Sequence, residues 1–285
     1  MSQDHGTKVV DTTKQYYDSE DADNFYYKLW GGEDLHVGVY DERKDTVDAV
    51  REASIRAVEK MIGLLQKATK VTAETKVLDI GSGYGGTARY FAKHCGCHVD
   101  CLNLSDKENE RNRQKNKEQR LEDKVSVYGG NFEELPFSDG VYDVVICEDS
   151  LLHSANKQKV LEEVKRVLKN GGHFIFTDPM QADEVPEGVL DPVLQRIHLD
   201  SMGSIKKYRE IAKLLGLKEV QVVELPEQIP RHYGSVRSVL QKNYESLKGS
   251  ISTDYMDRML TGLGHWVEKG EQGHLNWGYL HFQKQ

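Results

Sequence analysis

The sequence predicts an α/β fold built on one seven-stranded, mostly parallel sheet, and three observations predict it. From Lys76 onward, short β-type runs alternate with longer helical patterns, the order that buries a parallel sheet between two layers of helices. The first run, Val77 to Ile80, passes straight into Gly81-Ser82-Gly83-Tyr84-Gly85-Gly86, a turn whose missing side chains let the backbone reach positive φ and approach a ligand closely. The 285 residues are 38% hydrophobic, which suits one large core with insertions.

Taken in order, strands are expected at Lys76 to Ile80, His98 to Leu102, Val125 to Tyr128, Asp143 to Cys147 and His173 to Thr177, with two more near Glu219 to Glu224 and Gly278 to Phe282. Helices are expected at Gly85 to His94, Lys107 to Arg120 and Lys157 to Leu168, the last stopped by Asn170-Gly171-Gly172. Residues 1–72 read as an N-terminal helical cap. Residues 73–285 read as the ligand-binding domain, with helical lid insertions at about 180–213 and 228–269, because those stretches lack sheet-like alternation. The run from Asp106 to Lys124 mixes charges of both signs and reads as a solvated helix face rather than a nucleic-acid patch. Cys95, Cys97 and Cys101, interleaved with His94 and His98, invite a metal reading. The alternation of Cys97, Val99 and Cys101 with His98 and Asp100 favours a strand carrying reduced thiols instead.

A formal charge of −8 argues against a phosphate-backbone partner, which needs a basic stripe. No apolar run approaches the roughly 20 residues of a membrane helix, and the polar start before Lys8 lacks a signal-peptide core. The expectation is therefore a cytoplasmic enzyme of small-molecule chemistry, with no nucleic acid and no membrane among its partners. A homo-oligomer stays open.

The decisive residue is Asp79, two positions before Gly81 at the carboxyl end of the first strand. Gly81, Gly83 and Gly86 also satisfy a dinucleotide fingerprint, but a carboxylate there repels a pyrophosphate and suits the methionyl ammonium of S-adenosylmethionine. This block resembles the first motif of class I methyltransferases, a Rossmann-like superfamily, and the following blocks fall into register with it. Asn103-Leu104-Ser105 stands where that superfamily usually carries an acid for the ribose; an amide still bonds a diol. Gly130-Asn131-Phe132 followed by Leu135-Pro136-Phe137 resembles the adenine-binding segment, and Cys147 to His153 a later motif. The resemblance implies S-adenosylmethionine as cofactor, S-adenosylhomocysteine as product and no metal. It assigns cofactor contacts to Asp79, Gly81, Gly83, Gly85, Asn103, Leu104, Asn131, Phe132 and Glu148.

Upstream, Tyr16-Tyr17-Asp18-Ser19, then Trp30-Gly31-Gly32-Glu33, then His36-x-Gly38-x-Tyr40 resemble the cap of small-amine N-methyltransferases. With Leu102-Asn103-Leu104-Ser105 they resemble the sarcosine/dimethylglycine N-methyltransferase family over nearly the whole chain. That resemblance implies a small zwitterionic amine carrying one or two N-methyl groups, either sarcosine or dimethylglycine, on the way to glycine betaine. The amine must lose a proton before it can attack. His153 is the natural acceptor because its ordinary pKa is nearest neutral, with Asp149 one turn away on the same face. Phosphoethanolamine methyltransferases pair a Tyr with a His at similar positions, which implies Tyr17 here, with Tyr16 as the alternate register. A methylated ammonium suits aromatic faces, for which Trp30, Tyr17, Tyr40 and Tyr233 are candidates, and His36 belongs to the same cap motif. The carboxylate suits a guanidinium, supplied by Arg196 or Arg231.

Three other functions fit the sequence less well. Phosphoethanolamine N-methylation would need extra basic residues for a phosphate. A cyclopropane synthase or C-methyltransferase would need an apolar tunnel, against a mean hydropathy of −0.63. A non-catalytic cofactor-binding protein would have no use for His153.

Overall fold

The computed structural model describes residue 12, residues 14–197, residue 199 and residues 201–285. Seven strands form one sheet in the order β3-β2-β1-β4-β5-β9-β7: β1 Lys76–Ile80, β2 His98–Asn103, β3 Val125–Gly129, β4 Tyr142–Glu148, β5 Leu168–Thr177, β7 Leu217–Glu224 and β9 Gly278–Lys284. Strand β9 pairs antiparallel with both β5 and β7, and the other neighbours pair parallel. The central strands are apolar on both faces, as a sheet covered twice must be; four of the five residues of β1 are buried. Two apolar clusters result, one on each face of the sheet.

Helices α1 (Glu20–Leu29) and α2 (Val47–Ala68) precede the sheet. Ser19 and Thr46 cap them by accepting from the backbone N–H of Ala22 and Ala49. Helices α3 (Gly86–Cys95), α4 (Asp106–Glu118) and α5 (Lys157–Val167) make the crossovers, and α6 (Asp191–Arg196) and α7 (Ile205–Leu214) follow β5. A long pair, α8 (Gln228–Leu247) and α9 (Thr253–Glu271), lies between β7 and β9. Among the described residues no helix is long and apolar enough to cross a membrane.

Three local expectations change. Asn170-Gly171-Gly172 does not stop a helix, because α5 ends at Val167 and β5 begins at Leu168. The glycines lie in a register shift between β4 and β5, with Gly171 at φ 79°. Met180–Gln181, read as lid, forms a short strand, β6, paired with Leu275–Asn276, β8. Helix α4 is not solvated all round: Asn109, Asn112 and Asn116 are buried at helical spacing, and the last two accept from the buried Arg89 guanidinium at 3.2 and 3.1 Å. The cysteine cluster follows the strand reading, since Cys97 and Cys101 are wholly buried.

Candidate active site

The strand order reverses between β1 and β4, where the carboxyl ends of open α/β sheets bind ligands. Asp79 from β1, Asn103 from β2 and Glu148 from β4 arrive there together in one cleft. Its floor is strongly acidic. Asp79 is only 3% exposed, and its pKa is driven well above the carboxylate range by burial and then by Glu148 and Asp34. Burial pushes Glu148 up to about 7 against the opposing pull of His36 and a hydrogen bond from the Thr87 hydroxyl. Burial disfavours a charged His36, yet Glu148 at 3.5 Å and Asp34 at 3.7 Å hold its pKa at about 10.

Gly81 and Gly83 turn the chain at φ 72° and 50°. A Cβ on Gly81 would stand 2.4 Å from that of Ser150, so only glycine lets the ends of β1 and β4 approach this closely. Among the described residues Ser82 Oγ and Glu148 Oε1 are enclosed without a hydrogen-bond partner. Clustered carboxylates with unused polar atoms fit a ligand that is cationic at one end and polar along its length, and S-adenosylmethionine carries a sulfonium and an ammonium there.

Beyond the floor, Tyr17 places its hydroxyl 3.0 Å from His153 Nε2. Burial lifts the pKa of Tyr17, with Tyr16 and Glu108 adding to it. Burial, then Lys157 and Arg196, pulls His153 down to about 4. At neutral pH the phenol therefore donates and a neutral imidazole accepts. Tyr16 is directed elsewhere, with its hydroxyl 3.2 Å from that of Tyr26 and 3.1 Å from that of Tyr255.

The known Methyltransferase domain family matches residues 78–176, the stretch that holds most of the cofactor cleft. The chain is 51% identical over 276 residues to the sarcosine/dimethylglycine N-methyltransferase of Aphanothece halophytica, covering 97% of this chain and 98% of that one. This chain belongs to the sarcosine/dimethylglycine N-methyltransferase family. The member from Halorhodospira halochloris is 47% identical over the full length of both chains. A solved structure from Galdieria sulphuraria, assigned as a sarcosine dimethylglycine methyltransferase, superposes with a TM-score of 0.88 at 39% identity, covering 95% of this chain and 99% of that one. The protein is a methyltransferase, and its cofactor is S-adenosylmethionine.

For this family member, Asp79, Gly81, Gly83, Asn103, Leu104, Asn131, Phe132 and Glu148 all line the cleft. Gly85 does not. It precedes α3 at φ 76°, and a Cβ there would strike the Asn112 side chain, so it serves helix packing. Glu108 escaped sequence reasoning because it sits in a charged run, yet it lines the cleft and accepts from Asn103 Nδ2 at 2.8 Å. Burial raises its pKa to about 7, with Asn103 opposing. It brings a carboxyl from the first turn of α4 against the Asn103 amide; the capping Ser105, whose hydroxyl accepts from Glu108 N–H, was the available signal.

Asp149 shares no helix face with His153. It follows β4 at φ 52°, a left-handed position rare outside glycine, and His153 ends a single 3₁₀ turn, Leu151–His153, that begins two residues later. Its carboxylate accepts from Val37 N, Thr177 Oγ1 and Trp277 Nε1 at 2.6 to 2.8 Å. His36, expected beside the substrate, stands in the acidic floor, and its backbone carbonyl accepts from the Trp30 indole. Trp30 and Tyr40 lie behind the cleft, not in it: Trp30 packs 5.0 Å from His232, and Tyr40 holds His232 Nδ1 at 3.0 Å. Arg231 donates to the Tyr40 carbonyl at 2.8 Å, which makes it a clasp within the cap.

Arg196 is different. Its guanidinium carbon is 5.9 Å from the Tyr233 ring centroid, its Nε is enclosed without a partner, and no carboxylate pairs with it among the described residues. Burial opposes its charge, but Tyr26, Tyr16, Tyr233 and Tyr255 around it hold its pKa above the usual value.

Proposed function

We propose that this chain methylates the nitrogen of sarcosine and dimethylglycine, forming glycine betaine, and that the observation carrying this reading is the Tyr17–His153 pair in the cleft, with the Arg196 guanidinium, which no carboxylate pairs among the described residues, near enough for its charge to act on both. A buried guanidinium without a carboxylate is costly, and an anionic ligand group relieves that cost. A small amino acid whose carboxylate meets Arg196 would turn its nitrogen toward Tyr17.

When bound, S-adenosylmethionine supplies an electrophilic methyl group on a sulfonium. Asp79 and Glu148 would hold the cationic end of that cofactor, and Asn103 with Glu108 would hold its diol. The ammonium proton of the substrate would pass to the Tyr17 oxygen as the Tyr17 proton passes to His153 Nε2, which leaves the phenol neutral, the imidazole protonated and the nitrogen lone pair free for attack. Tyr233, expected as a face for the methylated ammonium, does not line the cleft and packs against Trp266 and Arg196 instead. Holding nitrogen, carbon and sulfur in line contributes up to roughly 7 to 11 kcal/mol. Asp149 acts at one remove, tying the His36–Val37 segment to β5 and Trp277.

The relatives' names support this reading. Its test is the purified protein supplied with glycine, sarcosine, dimethylglycine, phosphoethanolamine and a lipid separately, with products identified by mass. Turnover on sarcosine and dimethylglycine is expected, and turnover confined to phosphoethanolamine or lipid would overturn it.

A further inference from the structure

A second opening lies on the far side of the tyrosine wall. Between α1, α6 and α9 runs a surface groove of about 990 Å³, lined by Tyr16, Ser19, Arg196, Tyr255, Met259 and Gly262. The partition between groove and cleft is thin. Tyr16 lines the groove and Tyr17 the cleft, and their rings meet edge to face with centroids 5.1 Å apart.

Arg196 lines the groove and not the cleft, and its charge reaches Tyr17 and His153 across the partition. Helix α9 has no side chain where Arg196 crosses it. A Cβ on Gly262 would stand 2.4 Å from Arg196 Cδ and 3.1 Å from Nε, so the glycine keeps the arginine in the partition. The rim sets Glu20, Asp21 and Asp257 against Arg258, an acidic excess that disfavours a net anion and leaves Arg196 as the contact for a zwitterion's carboxylate.

We propose that this groove is a separate port for the small zwitterionic amine, with Arg196 as the carboxylate contact shared by port and site. It rests on the substrate reading above. The cofactor cleft is lined apart from it, with the part-exposed Lys14 and Phe132 among its residues. With two openings the amine binds and leaves while the cofactor stays in place. The half-methylated amine likewise remains while spent cofactor is exchanged.

Thr261 is an exposed groove residue one position before Gly262, and reaction at the half-buried Cys95 is avoided by working in a Cys95→Ser background. Thr261→Cys is alkylated with maleimides of increasing size, and amine turnover and S-adenosylmethionine affinity are measured on each product. The expected result is a kcat/KM for sarcosine and dimethylglycine that falls with label size, roughly tenfold or more for the bulkiest, as a hindered approach slows association, at unchanged cofactor Kd. Gly262→Ala, which displaces Arg196 without filling the groove, is expected to raise the amine KM at unchanged cofactor Kd. Full amine turnover with the bulkiest label overturns the port alone, as does a loss of cofactor affinity in step with turnover. No turnover of either amine by the unlabelled chain overturns the substrate reading and the port together.

Discussion

The cofactor half of the cleft rests on neighbouring strand ends and the turns that follow them, whereas the amine half is assembled from residues as far apart as Tyr16 and Tyr255, 239 positions distant. One half is a row of carboxyls that burial makes reluctant to ionise. The other is a shell of phenols around two neutral imidazoles and one guanidinium. Binding two cations and moving a proton are different tasks, and the chain divides them by region.

The largest expected effect separates the halves by function. His153→Ala should lower kcat by about 10² to 10⁴, the usual span for a proton acceptor, and leave the S-adenosylmethionine Kd unchanged; an unchanged rate would remove His153 from the reaction. Next, Arg196→Ala should cut kcat/KM for the amine by roughly 10- to 100-fold, the worth of a charge-assisted hydrogen bond, again at unchanged cofactor affinity. Asp79→Ala should do the reverse. It should weaken S-adenosylmethionine and S-adenosylhomocysteine alike, because both carry the ammonium, with Glu108→Gln giving a smaller loss of about 2- to 10-fold. Calorimetric titration of each variant checks both, and unaltered affinity in Asp79→Ala would sink its assignment.

The smallest effect concerns pH and sets the halves in opposition. Glu108 and Glu148 have folded pKa values raised to about 7, so the stability they contribute is full below their unfolded value and lost as pH rises through about 7. His153 and His232 are depressed by burial to about 4 and about 3, so theirs is full above the ordinary histidine value and lost as pH falls through those points. Acid should therefore loosen the tyrosine cap first, and mild alkali the carboxyl floor. Hydrogen exchange at pH 4 and pH 8 reads this directly, and uniform loosening at both would contradict it. Binding a cationic cofactor should also release protons near pH 7, seen as a buffer-dependent binding enthalpy.

The same division governed what the sequence disclosed. Strand runs, the Gly81–Gly83 turn and Asp79 are local signals, and the observed strands fall within a few residues of those expected. Asn103 was legible and Glu108 was not, because a stripe of buried asparagines on α4 looks identical to a solvated face until Arg89 is placed against it. Arg196 and Arg231 were indistinguishable in the sequence; only the folded chain puts one beside Tyr233 and the other on the Tyr40 carbonyl. Trp30 and Tyr40 carry the cap motif, yet the structure uses them to build the wall behind the reacting groups. The Asp149–His153 spacing suggested a helix turn, but the backbone leaves β4 through a left-handed residue first.

The indole of Trp277 donates to Asp149 from 128 positions further along the chain, and this sets an order of assembly. A nascent chain that had emerged only through β5 would hold the carboxyl floor almost complete, while the partners of Tyr16 and the indole that steadies Asp149 were still unmade. Distant pairings of this kind form late and slowly. The chain would thus be able to grip its cofactor before it could act on an amine, so that during synthesis S-adenosylmethionine itself could serve as a folding ligand that stabilises the unfinished protein.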